Sequence, residues 1–235
     1  NHIAPSQDHS APNGGSTYFM PLRPGAQKKF DVYGNTCCHG TGLENHTKYQ
    51  DTIYFRSADN SALYVNLYIP SVLTWKDRGF VITQSGDYLA DNSVSLTIEG
   101  SGKLDIKLRV PYWVEKGFHV KINGEAQQLD AKPGSYVTLS REWASGDRID
   151  IDMPFTFRLE PTPDDESVVS IFYGPLTLAG LKEDDSFIEI DLGGKHISEV
   201  IKPTDNPLVF DLNGIPLVPH NDIEERHYHA YFKLK

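Results

Sequence analysis

The chain has 235 residues, 39% of them hydrophobic and 11% aromatic, with 22 Lys+Arg against 32 Asp+Glu for a formal net charge of -10. That length accommodates one large or two modest domains with real cores. The negative balance argues against a nucleic-acid or anionic-membrane partner, and no apolar run reaches transmembrane length or forms a signal-peptide core.

The chain opens at Asn1-His2-Ile3-Ala4-Pro5, without an initiator methionine, and reads as mid-sequence. The expectation is a mature or truncated piece of a longer protein. Residues 1–36 are rich in Pro, Gly and Ser and carry no sustained helical period. Tyr18-Phe19-Met20-Pro21-Leu22 is their compact apolar cluster, and the segment reads as loops laid over other structure.

Next comes Asn35-Thr36-Cys37-Cys38-His39-Gly40-Thr41-Gly42-Leu43-Glu44-Asn45-His46. Its adjacent thiols are the 2 cysteines of the chain. A vicinal disulfide strains the backbone, because ordinary disulfides hold their Cα atoms roughly 4.4–6.8 Å apart. The more useful reading is a thiolate site, with both sulfurs as soft metal ligands or one as a nucleophile. Two inert, buried cysteines ahead of a capped helix stand as the plain alternative. Thr41-x-x-Glu44 has the form of a capping box that starts a helix at Gly42 and runs it to about Tyr49. A helix N-terminus lowers the pKa of a nearby thiol. Two cysteines do not build a disulfide framework, so they leave the redox compartment open.

From Thr52 the period changes to two. Leu63, Val65, Leu67 and Ile69 alternate with other positions, as do Val94, Leu96 and Ile98, and Leu104, Ile106, Leu108 and Val110. Val120 and Ile122, Val137 and Leu139, and Ile149, Ile151 and Met153 continue the pattern. Asn123-Gly124 is a type I′ hairpin signal. Gly100-Ser101-Gly102 and Ser145-Gly146-Asp147 are further turns. Short strands at this spacing predict an antiparallel sandwich with one buried face per strand. Pro161-Thr162-Pro163-Asp164-Asp165-Glu166 is a polar break, after which Ser167–Leu178 reads as a buried strand interrupted at Gly174-Pro175. The last 55 or so positions are less regular; the final strand, Arg226–Leu234, is their clearest element.

These residues resemble a known family. Thr17-Tyr18-Phe19-Met20-Pro21-Leu22, the Cys37–His46 stretch and Ile53-Tyr54-Phe55 are similar to the bacterial β-L-arabinofuranosidases of glycoside hydrolase family 127 and the related family 146. Leu63–Pro70, Leu108-Arg109-Val110-Pro111-Tyr112-Trp113, Val120–Gly124 and Trp143–Asp147 resemble that family's middle β-domain, and Phe172-Tyr173-Gly174-Pro175-Leu176 the strand that follows it. The resemblance covers roughly residues 16–180 well and the remainder weakly.

The resemblance implies a mainly β chain: antiparallel, jelly-roll-like β-sandwich domains preceded by the loop and short helix that end an (α/α)6 barrel. The expected division is 1–52 as the barrel's C-terminal edge, 53–158 as the middle β-sandwich and 159–235 as a C-terminal β-domain. It implies a retaining glycosidase in which Cys37 is the nucleophile and Cys37 and Cys38 are zinc ligands. The family's remaining ligands come from an upstream Glu-x-Cys element, which this sequence lacks, and its acid/base glutamate is also upstream. The implied partners are an arabinose-containing oligosaccharide or glycoconjugate and the missing barrel segment, so the isolated chain is expected to be inactive. The exact sugar, its linkage and the cell compartment stay open.

Other residues have two readings each. His39 is a sugar contact or a helix-entry residue, and Tyr18 a pocket aromatic or part of the apolar cluster. Glu44 is explained by the capping box more cheaply than by catalysis. His227-x-His229 places two imidazoles on one strand face; it lacks a third metal ligand, so an outward polar face is expected. The acidic runs Asp164–Glu166 and Glu183–Asp185 read as solvated turns; Trp75, Trp113 and Trp143 are candidates for a sugar platform, against which Trp113 and Trp143 sit at strand ends and favour core packing or edge cover. The contrasting class is a non-catalytic carbohydrate-binding or structural β-sandwich module with packed cysteines. A thiol redox or metal-buffering site is weakened by the absence of Cys-x-x-Cys.

Overall fold

The computed structural model describes residues 17, 19–30, 40, 44, 47, 48 and 50–235. They form two compact units: Gln50–Phe155, and Thr156–Lys235 together with the described part of Asn1–Tyr49. The first strand among the described residues is β1 (Ala26–Gln27), which belongs to the second of these units.

Gln50–Phe155 is a β-sandwich of two sheets. One has the order β10-β7-β3-β2, from β2 (Tyr54–Arg56), β3 (Ala62–Val65), β7 (Gly102–Arg109) and β10 (Tyr136–Trp143). The other has six strands: β4 (Ser71–Trp75), β5 (Phe80–Ser85), β6 (Ser93–Glu99), β8 (His119–Ile122), β9 (Glu125–Ala126) and β11 (Arg148–Asp152), in the order β4-β5-β6-β11-β8-β9. Pairing is antiparallel except between β3 and β7.

The period-two residues form the core. Val94, Leu96, Ile98, Leu104, Ile106, Leu108, Val110, Val120, Ile122, Val137, Leu139, Ile149, Ile151 and Met153 are all buried. Their burial removes apolar area from water, at roughly 25 cal/mol per Å². Trp75, Trp113 and Trp143 are buried too. Trp143 donates from Nε1 to the Leu104 carbonyl at 2.8 Å, and Trp113 meets Phe155 edge-on at 5.2 Å. The hairpin at Asn123-Gly124 forms as expected. Both residues have positive φ, 52° and 85°, and Ile122 pairs with Glu125 across the two-residue turn.

One expected strand ends early. The alternation from Leu63 to Ile69 stops being a strand after Val65. Tyr68 rather than Leu67 or Ile69 is buried, and its hydroxyl donates to the Arg109 carbonyl at 2.6 Å. The Ile53 carbonyl takes both the Asn66 and Leu67 amides, which turns the backbone out of the ladder. Gln84 on β5 answers this irregularity: its buried side-chain amide donates to the Leu67 and Ile69 carbonyls. A polar residue at an inward position of β5 therefore follows from neighbouring backbone that needs donors.

The second unit is built on β12 (Phe157–Pro161), β13 (Val168–Tyr173), β14 (Leu176–Gly180), β15 (Ile188–Ile190), β16 (Lys202–Pro203), β17 (Phe210–Leu212), β18 (Ile215–Pro219), β19 (His227–Tyr228) and β20 (Phe232–Leu234). The main sheet runs β15-β20-β13-β14-β18-β17-β16, with β12 also on β13. Gly174-Pro175 is the turn of the β13–β14 hairpin, as the sequence suggested. Val169, Ile171, Leu178, Ile190, Leu217 and Phe232 centre its core.

The expected final strand Arg226–Leu234 is split. β20 joins the main sheet, parallel to β15 and antiparallel to β13. β19 instead pairs with β1, some two hundred positions earlier in the chain, with Ala26 opposite Tyr228 and Gln27 opposite His227. Among the described residues no helix is long and apolar enough to cross a membrane.

Candidate functional site

Cys37, Cys38, His39 and Tyr18 lie outside the described residues, as do Thr41 and His46. Described neighbours bound the site on both sides. Downstream, Gly40, Glu44, Thr47 and Lys48 are helical, and Thr47 Oγ1 donates to the Glu44 carbonyl at 2.7 Å. Helical backbone at Gly40 lies ahead of the start at Gly42 that the capping box predicted. A cap contributes only ~1 kcal/mol, so it does not by itself dictate where a helix begins. Glu44 is exposed.

Upstream, residues 19–30 dock on the C-terminal unit. β1 pairs with β19, and Ala26 is buried. The His227 ring donates from Nδ1 to the Gly25 carbonyl at 2.8 Å, Gln27 Nε2 donates to the Glu225 carbonyl at 2.8 Å, and the Tyr228 hydroxyl donates to the Pro21 carbonyl. Burial pushes the Tyr228 phenol up to about 12, so it stays a donor at any ordinary pH. Gly25 sits at φ 63° with the Asp184 carbonyl against its Cα; a Cβ there would lie 1.9 Å from that oxygen. Met20 packs on the cluster of Ala179, Val218, Ile223, Tyr228 and Ala230. Lys28 is buried, its ammonium over the Phe30 ring at 4.5 Å. The sequence signalled little of this. Pro24-Gly25 marks a turn, closed by the Ala26 amide on the Arg23 carbonyl at 3.3 Å, but no local pattern announces so distant a partner strand.

The histidine pair needs correcting. His227 and His229 do not present an outward polar face: His227 is half-buried against Gly25, and His229 is fully buried. Neither ring nitrogen of His229 has a hydrogen-bond partner of good geometry among the described residues. Burial holds its pKa below the usual histidine value, with the nearby Lys182 backbone opposing that. The acidic runs are turns, as expected. The Ser167 hydroxyl, then the Lys233 ammonium, bring Asp165 down to about 2, and Lys182, then Ser186, hold Asp184 well below the usual carboxylate range. No group of three or more His, Cys, Asp or Glu among the described residues is arranged to hold a metal ion.

Open depressions of about 490 Å³ and 540 Å³ lie on the six-stranded sheet and one of about 640 Å³ on the C-terminal unit. In two of them polar groups satisfy one another. Arg148 bonds Asp150 at 2.7 Å, Ser85 bonds Ser95 at 3.0 Å, and Lys235 pairs with Glu189 at 2.8 Å. Of the described residues weighed as site candidates, Glu44, His227 and His229 line none of them.

Residues 62–155 match the family model described as Beta-L-arabinofuranosidase, GH127 middle domain. That match falls on the sandwich and agrees with the resemblance read from the sequence. Solved structures align along nearly all of the chain. A protein described as a glycoside hydrolase aligns at TM-score 0.77 and 18% identity, covering 99% of this chain and 46% of that one. A GH127 beta-L-arabinofuranosidase from Geobacillus stearothermophilus T6 aligns at TM-score 0.75 and 17% identity, covering 99% and 44%. A GH127 beta-arabinofuranosidase aligns at TM-score 0.72 and 20% identity, covering 94% and 42%. The chain thus spans less than half the length of these structures. A comparison with curated proteins found no match.

Proposed function

We propose that this chain is the C-terminal part of a retaining glycoside hydrolase of the β-L-arabinofuranosidase kind, acting on arabinose-containing glycans, with Cys37 as its nucleophile. The match of residues 62–155 to the GH127 middle domain carries the reading; the Cys37-Cys38-His39-Gly40 stretch just upstream supplies the chemistry.

Retaining glycosidases separate displacement into two inversions at the anomeric carbon. In the first, the Cys37 thiolate attacks that carbon, the glycosidic C–O bond breaks, and the departing oxygen takes a proton from a carboxylic acid. That acid belongs to the barrel expected upstream and is assigned to no residue here. In the second, water attacks the thioglycosyl carbon, the same carboxylate takes the water's proton, and the thiolate is released. A thiolate serves because it is strongly nucleophilic and a good leaving group once its pKa is lowered.

Zinc fits this scheme in part. Cys37 and Cys38 would supply two thiolates to a zinc ion, and the described residues add no further group of three or more metal-ligating side chains. When bound, the metal keeps a coordinating thiol deprotonated and fixes its direction. His39 and Tyr18 are proposed as sugar contacts beside the sulfur.

The test is hydrolysis of an aryl β-L-arabinofuranoside by the protein in its longest natural form, with the anomer released followed by NMR. Retention, abolished in Cys37→Ala, is expected, with no turnover by the 235-residue chain alone. Inversion, or full activity in Cys37→Ala, overturns the reading.

A further inference from the structure

We propose that the outer face of the sheet β10-β7-β3-β2 binds a carboxylate-bearing glycan, with Phe55, Tyr64 and Tyr136 taking sugar rings and Lys107 and Arg109 the carboxylates. For its ligand class the proposal rests on the reading of this chain as part of a glycan-processing protein; it does not rest on Cys37. Alternation sets the face. Leu63 and Val65 on β3, Ile106 and Leu108 on β7, and Val137 and Leu139 on β10 are buried in the sandwich, so Tyr64, Lys107, Arg109 and Tyr136 stand on the opposite side. The register gathers them. Phe55 lies opposite Tyr64, Tyr64 beside Lys107, and Tyr136 opposite Arg109, and residues paired across strands share a face.

The aromatic rings are open to solvent and already held. Phe55 is 47% exposed and Tyr136 39%. Tyr64 and Tyr136 meet edge to face, centroids 5.4 Å apart and planes at 84°. The Tyr136 hydroxyl donates to Asn66 Oδ1 at 2.6 Å, and Asn66 Nδ2 donates to the Thr52 carbonyl at 2.9 Å. Rings fixed in advance lower the ordering cost of binding. A sugar ring has an apolar C–H face and a hydroxyl rim, so it lays the first on an exposed aromatic and turns the second to water. Cross-strand packing alone accounts for the Tyr64–Tyr136 pair; it leaves the exposure of Phe55 and the neighbouring cations without a use.

Those cations select the charge of the ligand. The chain has 22 Lys+Arg against 32 Asp+Glu, yet neither Lys107 nor Arg109 forms an ion pair among the described residues. The Lys107 ammonium sits over the Tyr64 ring, 5.4 Å from its centroid. Arg109 is half-buried, and its Nε is buried with no hydrogen-bond partner among the described residues. A guanidinium drawn partly out of water without an acceptor is costly, and a carboxylate matches its planar fork. A neutral glycan would leave both cations unused. The net charge of -10 disfavours a nucleic acid.

The experiment titrates the 235-residue chain with trigalacturonate and with its full methyl ester, which keeps the rings and removes the charge, by isothermal calorimetry at low salt. Saturable binding in the millimolar range is expected for the acid, weaker by about fivefold or more for the ester, and falling as salt is raised. Lys107→Gln should weaken binding of the acid by about fivefold, and Phe55→Ser by about threefold, each with the parent's thermal midpoint as the check on folding. The comparison of acid with ester needs no variant. No saturable binding of the acid, an ester that binds as tightly, or folded variants that both bind like the parent overturn the proposal. So does a hexaglutamate peptide that binds as tightly as the acid, because it carries charge without sugar rings. The probe contains no arabinose, and Cys37→Ala should bind it like the parent, so the fate of the proposed hydrolysis is read separately.

Discussion

His229 shows what a sequence conceals at the scale of one residue. His227-x-His229 alternates like a solvent-facing strand, yet His229 is fully buried and has no hydrogen-bond partner of good geometry among the described residues. Burial disfavours its charged form, so its folded pKa lies below the ordinary 6.5. The unfolded chain then binds the proton more readily below about pH 6.5, and stability is lost as pH falls through that range. The thermal midpoint of the C-terminal unit should drop between pH 7.5 and 5.5, and His229→Leu should flatten that slope. An equally steep slope in the variant would contradict the assignment. The cysteine pair is a different case: two adjacent thiols before Gly40 and Gly42 raise an expectation of chemistry from residue types alone, and they lie outside the described residues.

At the scale of elements, the middle sandwich was readable because its strands bury alternate residues. Every inward position named from Val94 to Met153 is buried. The reading failed where backbone, not side chains, set the pattern. Tyr68 goes inward for the sake of its hydrogen bond to Arg109, and Gln84 occupies a core position to serve the carbonyls of 67 and 69. The pairing of β1 with β19 was invisible, since periodicity says nothing about distant partners. The Asn123-Gly124 turn was visible, because positive φ at two successive residues demands those types. Asn123 also donates to Asp147 and accepts the Arg148 amide, both at 2.8 Å. Gly124→Val should therefore cost about 1–2 kcal/mol in denaturant unfolding, and Asn123→Ala a similar amount. A neutral Gly124→Val would contradict the turn assignment.

For the whole molecule, all strands of the two middle sheets come from within Gln50–Phe155. That segment should fold alone, with a cooperative denaturant transition and a dispersed amide spectrum; a molten spectrum would show that it borrows its order. The C-terminal unit is different, because it takes β1 from the start of the chain. Fold and family kinship of the middle segment were thus available from hydrophobic alternation and a few motifs. The proposed activity concerns a longer protein, since the chain covers less than half the length of the structures it aligns with.

On the proposed mechanism, Cys37 forms a bond to sugar. The measurement is peptide mass spectrometry of the natural protein, acid-quenched during turnover of an aryl β-L-arabinofuranoside. A pentosyl adduct on Cys37, absent in Cys37→Ala, is the result predicted. A pentosyl adduct on a carboxylate, or sustained turnover by Cys37→Ala, would contradict it.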